Sequence, residues 1–162
     1  MLAVGWIDGI SGDRSAQSAG RVRVLLGVEN CHLVELPVIH DPQGNLTFIE
    51  QKRHVPFEIS RVYHTYDVPG GATRGGHAHR ACEELLVAMS GSFEVVVDDG
   101  SERASFRLNR SYVGLYLPPM IWRELLDFSS GSVCMVLASD YYEEDDYIRD
   151  YADFENVVRS DD

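Results

Sequence analysis

From about residue 32 onward, apolar and polar residues alternate over short runs, and each run stops where turn-forming residues cluster. His32–His40 alternates in this way and halts at Asp41-Pro42-Gln43-Gly44. Leu46–Glu50 and Ser60–Val68 follow, the second ending at Pro69-Gly70-Gly71. Thr73–His79, Glu84–Met89, Phe93–Val97, Ala104–Leu108, Val113–Leu117 and Val133–Ser139 continue the series. Their separators include Ser90-Gly91, Asp98-Asp99-Gly100 and Ser129-Ser130-Gly131, each with turn chemistry. About ten short strands with no long helix between them predict an all-β sandwich or barrel. Only the C-terminus reads as helical. Tyr147, Ile148, Tyr151 and Phe154 recur at helical spacing, behind Glu143–Asp146, which reads as a solvated acidic helix start. Tyr141-Tyr142 is expected to pack this tail onto the barrel.

Residues 1–30 lack a sustained period and carry Gly5, Gly9, Gly12 and Gly20 around a Ser/Ala-rich centre. They are expected to form an N-terminal extension of flexible character, leaving residues 31–162 as one β domain with a helical tail. Arg21–Glu29 fits a strand and a short helix equally well.

The formal charge of −12 argues against a nucleic-acid polymer as partner, because phosphate backbones need a basic face. A small anionic ligand needs only a few placed arginines, and Lys52 is the sole lysine among 14 bases. A high-GC coding sequence explains the same bias. Cys31, Cys82 and Cys134 show no paired spacing, which fits reduced thiols. No stretch approaches the ~20 apolar residues that cross a bilayer, and no leader pattern stands at the N-terminus. These features lead to the expectation of a cytoplasmic protein that does not engage membranes.

The chemistry concentrates in Gly71-Ala-Thr-Arg74-Gly-Gly-His77-Ala-His79-Arg-Ala-Cys-Glu-Glu84, closing at Gly91. On a strand, residues i and i+2 point to one face, so His77 and His79 can converge on one ligand, and Glu84 on the next strand can join them. The stretch resembles the first motif of the cupins, Gly-x5-His-x-His-x4-Glu-x6-Gly. That resemblance implies a double-stranded β-helix, or jelly-roll, barrel with these residues lining its cavity. Many cupins hold a metal there with a further histidine from a second motif. In the corresponding segment, Gly114 through Pro118, Pro119 and Trp122, the place of that histidine is taken by Arg123. A guanidinium cannot ligate a cation, so no metal and no cofactor are expected, although His77, His79 and Glu84 alone match the facial triad that holds a non-haem iron. Two histidines on one wall then suit general acid–base catalysis.

Several blocks also resemble the nucleotide-sugar 3,4-ketoisomerases, the WxcM-like or FdtA-like cupins. They are Pro56–Tyr63, Arg74–His79, Val113–Tyr116 with Pro119 and Trp122, and Asp127–Ser129 with Met135–Tyr142 and Asp146–Tyr151. The resemblance implies an isomerase that moves the ketone of a dTDP-linked 4-keto-6-deoxy sugar from carbon 4 to carbon 3 through an ene-diol. It implies His77 and His79 as base and partner, Tyr63 and Arg123 as oxyanion or proton-shuttling groups, and Arg74 at the diphosphate. Arg61, Glu84 and Trp122 are further candidates for substrate contact. With Arg123 unable to donate a proton, a gluco-configured product is expected, reprotonated by the histidine pair. A homodimer is expected as well. The alternatives are a 3,5-epimerase-like cupin, a metal-dependent cupin oxygenase and a non-catalytic sugar-binding cupin.

Overall fold

A computed structural model describes residues 27–160. The extension expected over residues 1–30 therefore lies outside the described residues up to residue 26, as does most of Arg21–Glu29. Val28–Asn30 forms a single 3-10 turn.

Twelve strands and one helix follow: β1 (His32–Glu35), β2 (Val38–Ile39), β3 (Leu46–Thr47), β4 (Arg61–Thr65), β5 (Arg74–His79), β6 (Glu84–Ser90), β7 (Phe93–Asp98), β8 (Arg103–Leu108), β9 (Val113–Leu117), β10 (Trp122–Leu126), β11 (Val133–Ala138), β12 (Tyr147–Ile148) and α1 (Tyr151–Ser160). One five-stranded sheet runs in the order β1-β9-β6-β11-β4, the other β12-β5-β10-β7-β8, and β2-β3 pair separately. Every pairing between named strands is antiparallel. Leu86, Leu115 and Val136 from the first sheet meet Phe93, Val95 and Leu125 from the second in one buried core. This is the expected cupin jelly roll.

Local chemistry explains most of the boundaries. Pro37 lacks an amide hydrogen, and the alternating run His32–His40 is split there into β1 and β2. Gly91 turns β6 into β7 at φ 66°, where a Cβ would stand 2.6 Å from the Ser129 and Ser132 hydroxyls.

Three features depart from the sequence reading. Trp122–Leu126, absent from the expected strands, is β10, lying between β5 and β7. Arg123 and Glu124 obscure its apolar pattern, yet Arg123 is 3% exposed because it is paired inside the barrel. Tyr147 and Ile148, expected in a helix, instead pair with His79 and Ala78 of β5. The helix begins later, where the Asp150 carboxylate accepts hydrogen bonds from the Ala152 and Asp153 amides as an N-cap. Its Phe154 is buried with Ala78, Met120, Trp122 and Ile148. Finally, Tyr141 and Tyr142 are 76% and 57% exposed rather than packed onto the barrel. Among the described residues, no helix is long and apolar enough to cross a membrane.

Candidate active site

Strand alternation sorts the chemistry to one wall. On β5, Ala78 turns toward the helix-side cluster, while Gly75, His77 and His79 turn into the barrel. On β10, Trp122 turns toward the helix and Arg123 inward. A cavity of about 480 Å³ opens between the sheets, lined by Tyr63, Arg74, His77, Arg123, Tyr147 and Arg149, among others.

Arg123 pairs with His77 across the β5–β10 ladder, and the register slips before Leu125 pairs with Arg74. Between those pairings β5 spends one residue more than β10, a bulge that holds Gly75 at φ 75°. Its carbonyl accepts a hydrogen bond from Arg123 Nη1 at 3.0 Å. A Cβ at Gly75 would lie 2.8 Å from Leu125 Cδ1, so both conformation and space call for glycine.

Behind the cavity wall lies a buried ionic network. Glu84 is 1% exposed, and its carboxylate takes Arg123 Nη2 at 2.9 Å on one oxygen and the Tyr63 hydroxyl at 2.7 Å on the other. Burial alone would raise the Glu84 pKa, but Arg123 and the hydrogen bonds outweigh it and hold the group below the usual carboxylate range. Burial and Glu84 together push the Tyr63 phenol upward, so it stays protonated and serves as a donor. His79 Nε2 lies 3.3 Å from Glu84, off the line a hydrogen bond needs, while Nδ1 is 2.7 Å from Asp146.

His77 is the histidine that faces the cavity. Its Nε2 has no hydrogen-bond partner, and burial, followed by the Arg123 charge, lowers its pKa to about 2. It is therefore a neutral imidazole, with Nε2 buried and unpartnered. His79, 4% exposed, stands behind it with the two rings 5.1 Å apart. Tyr147 packs on both, at 4.8 Å from His77 and 4.4 Å from His79, and Arg149 lies over its ring at 4.2 Å.

The structure thus brings His77, His79, Tyr63, Glu84 and Arg123 together and sets Arg74 on the cavity lining. Arg61 stands at the edge of the group, its Nη2 donating at 3.4 Å to the Tyr147 hydroxyl. Trp122 lies on the far face of β10, 5.2 Å from the Tyr151 ring, with Nε1 donating to Glu124. Asp146, Tyr147 and Arg149 went unrecognised in the sequence. Asp146 is no solvated helix start, since it binds His79. The signal was available only in the block Asp146–Tyr151, which marks the resemblance but reads locally as an amphipathic helix.

Comparison with known proteins places these residues in context. A family model described as FdtA, WxcM-like, C-terminal, matches residues 29–159. The chain is 44% identical over 126 residues to TDP-4-oxo-6-deoxy-alpha-D-glucose-3,4-oxoisomerase of Aneurinibacillus thermoaerophilus, covering 78% of this chain and 91% of that protein. QdtA, a sugar 3,4-ketoisomerase from Thermoanaerobacterium thermosaccharolyticum solved in complex with TDP, superposes with a TM-score of 0.80 at 39% identity, over 82% of this chain and 97% of that one. WlaRB, a TDP-quinovose 3,4-ketoisomerase from Campylobacter jejuni, gives 0.76 at 41% identity, over 80% and 99%.

Proposed function

The chain belongs to the FdtA family of WxcM-like C-terminal domains and is a sugar 3,4-ketoisomerase; from that premise we propose that its substrate is dTDP-4-keto-6-deoxyglucose. The observation that carries the chemistry is a neutral His77 on the cavity wall beside Arg123. The ketone at carbon 4 acidifies the hydrogen at carbon 3. His77 takes that proton as the C3–H electrons form the C3=C4 bond and charge moves onto the carbon-4 oxygen. Protonating His77 next to Arg123 is unfavourable in the empty cavity, but the anion formed in the same step offsets the repulsion. Arg123 is the donor for that oxygen, and Tyr63 joins it by turning its one hydroxyl hydrogen away from Glu84. Protonation there gives the ene-diol. Loss of the carbon-3 hydroxyl proton, with protonation at carbon 4, then completes the 3-ketone. Arg74 and Arg149 on the cavity lining supply charge for the diphosphate.

We hold to a gluco product, with one revision to the expected route. In a gluco ring the hydrogens on carbons 3 and 4 lie on opposite faces. If His77 removes the first, it cannot deliver the second from its own side. Arg123, whose pKa is raised chiefly by Glu84 against the cost of burial, cannot donate either. Water entering the open cavity is left as the proton source.

The donor set does not suit a divalent ion. Glu84 is already paired with Arg123 and Tyr63, and a fixed cation occupies the same network. His79, Cys82 and Asp146 also cluster, but the 2.7 Å contact between Nδ1 and the carboxylate leaves no room for an ion between them. The three free, buried cysteines support a reducing, cytoplasmic setting. An apolar outer face on the first sheet supports a homodimer.

Incubation with dTDP-4-keto-6-deoxyglucose in deuterated water, followed by proton NMR, tests the reading. The expected product is the gluco 3-ketone with solvent deuterium at carbon 4. Epimerisation at carbon 5 or unchanged substrate overturns the activity. A galacto product that retains substrate hydrogen overturns the stereochemical route and points to His77 acting at both carbons.

A further inference from the structure

We propose that Asp146 is a positioning residue that fixes the tautomer of His79, keeping its hydrogen on Nδ1 so that Nε2 does not compete for the Glu84 carboxylate. The proposal rests on the ketoisomerase reading for its kinetic consequence, though not for its structural content.

Each neighbour of Asp146 constrains it. Oδ2 lies 2.7 Å from His79 Nδ1, Oδ1 accepts the Ala81 amide hydrogen at 2.7 Å, and the backbone carbonyl accepts that of Arg80 at 2.8 Å. The carboxylate is thus oriented by the β5–β6 turn, and β12, running on from Asp146, is laddered to His79 and Ala78. Both side chains are withdrawn from solvent, at 4% exposure for His79 and 17% for Asp146. A carboxylate oxygen has no hydrogen to give, so the hydrogen in this contact sits on Nδ1. Nε2, 3.3 Å from Glu84 and off the line of a hydrogen bond, then has no hydrogen to donate, and the carboxylate stays with Arg123 and Tyr63. Asp146 itself does not line the cavity. It acts through His79 on the network behind the cavity wall.

Asp146→Asn separates this role from simple packing. The amide has one oxygen, and the Ala81 amide hydrogen still needs an acceptor. Its NH2 group must then face Nδ1, which becomes the acceptor, and the His79 hydrogen moves to Nε2. An Asp-to-Asn change that inverts a buried histidine tautomer while preserving geometry lowers turnover by up to roughly 10⁴-fold in a hydrolase triad. Here a fall of at least ~10-fold in kcat is expected, with KM within about twofold because the cavity arginines are untouched.

Nitrogen NMR of histidine-labelled protein, with His79 assigned through His79→Gln, reads the tautomer directly. The expected result is a protonated Nδ1 in the wild type and a bare Nδ1 in Asp146→Asn, together with the loss in kcat. A bare Nδ1 in the wild type overturns the proposal without reference to any variant. An Asp146→Asn protein that keeps Nδ1 protonated, or that keeps wild-type kcat, overturns it as well. Should the wild type fail to isomerise the sugar, the functional reading falls while the spectrum still decides the tautomer.

Discussion

His77 joins catalysis to stability through a single side chain. In the folded chain its pKa is lowered from 6.5 to about 2, so between those values the unfolded chain takes up a proton that the folded chain refuses. Stability therefore falls as pH drops through 6.5, by at most about 1.4 kcal/mol per pH unit for this one group. Glu84, whose folded pKa is also depressed, adds a loss of the same sign once pH falls below its ordinary 4.5. Thermal unfolding followed from about pH 7.5 to about pH 5 should show Tm declining in the wild type, and declining less in His77→Asn. The same variant should lose at least ~10²-fold in turnover while still binding dTDP. Parallel Tm profiles would show that His77 is not the buried neutral base described here.

The β5 bulge and the short strand β12 each turn an ordinary β element into part of the site. At the bulge, Gly75 adopts a left-handed conformation so that its carbonyl reaches Arg123, and Leu125 fills the space beside it. Gly75→Ala should cost more than about 1 kcal/mol, because alanine is strained at positive φ and its methyl group meets Leu125. Turnover should fall further than stability alone explains, since the bulge sets the guanidinium. Chemical denaturation and steady-state kinetics on the same preparation check both parts; an alanine variant with unchanged stability and rate contradicts the assignment. Two residues suffice for β12 because its work is placement: pairing with His79 and Ala78 fixes Tyr147 against the histidines.

The two sheets do not present equivalent outer faces. The second is partly covered by α1, whose Tyr151 and Phe154 pack on Trp122. The first exposes Val62, Met89 and Tyr112, at 56%, 48% and 41%, around a largely apolar cavity of about 510 Å³ that Met135 and Leu137 also line. Ile39 and Leu46 of the separate β2–β3 hairpin are each 54% exposed. An apolar surface of this kind is a natural interface, and a second copy of the chain is the proposed occupant. Sedimentation of the wild type should give a dimer at micromolar concentration, and Val62→Glu, which buries a charge in that interface, should give a monomer. A monomeric wild type ends this proposal. Val62 and Tyr63 are adjacent on β4 and face opposite ways, so the interface residue and the cavity residue share one strand.

Alternation and turn chemistry determined the all-β barrel and most strands, because period and turn preference are local properties of the chain. The spacing of His77, His79, Glu84 and Gly91 located the site for a similar reason: consecutive strands carry their own register with them. Tertiary structure alone decided the rest. Arg123 could be buried in β10 only because Glu84, distant in sequence, lay opposite it. Tyr147 and Ile148 have helical spacing, but the ladder offered by β5 took them as a strand. Asp146 belongs to a run of acids that reads as solvated surface, and nothing local distinguishes it from Asp145. What singles it out is the closure of the chain onto the β5–β6 turn, where His79 and the Ala81 amide await a carboxylate.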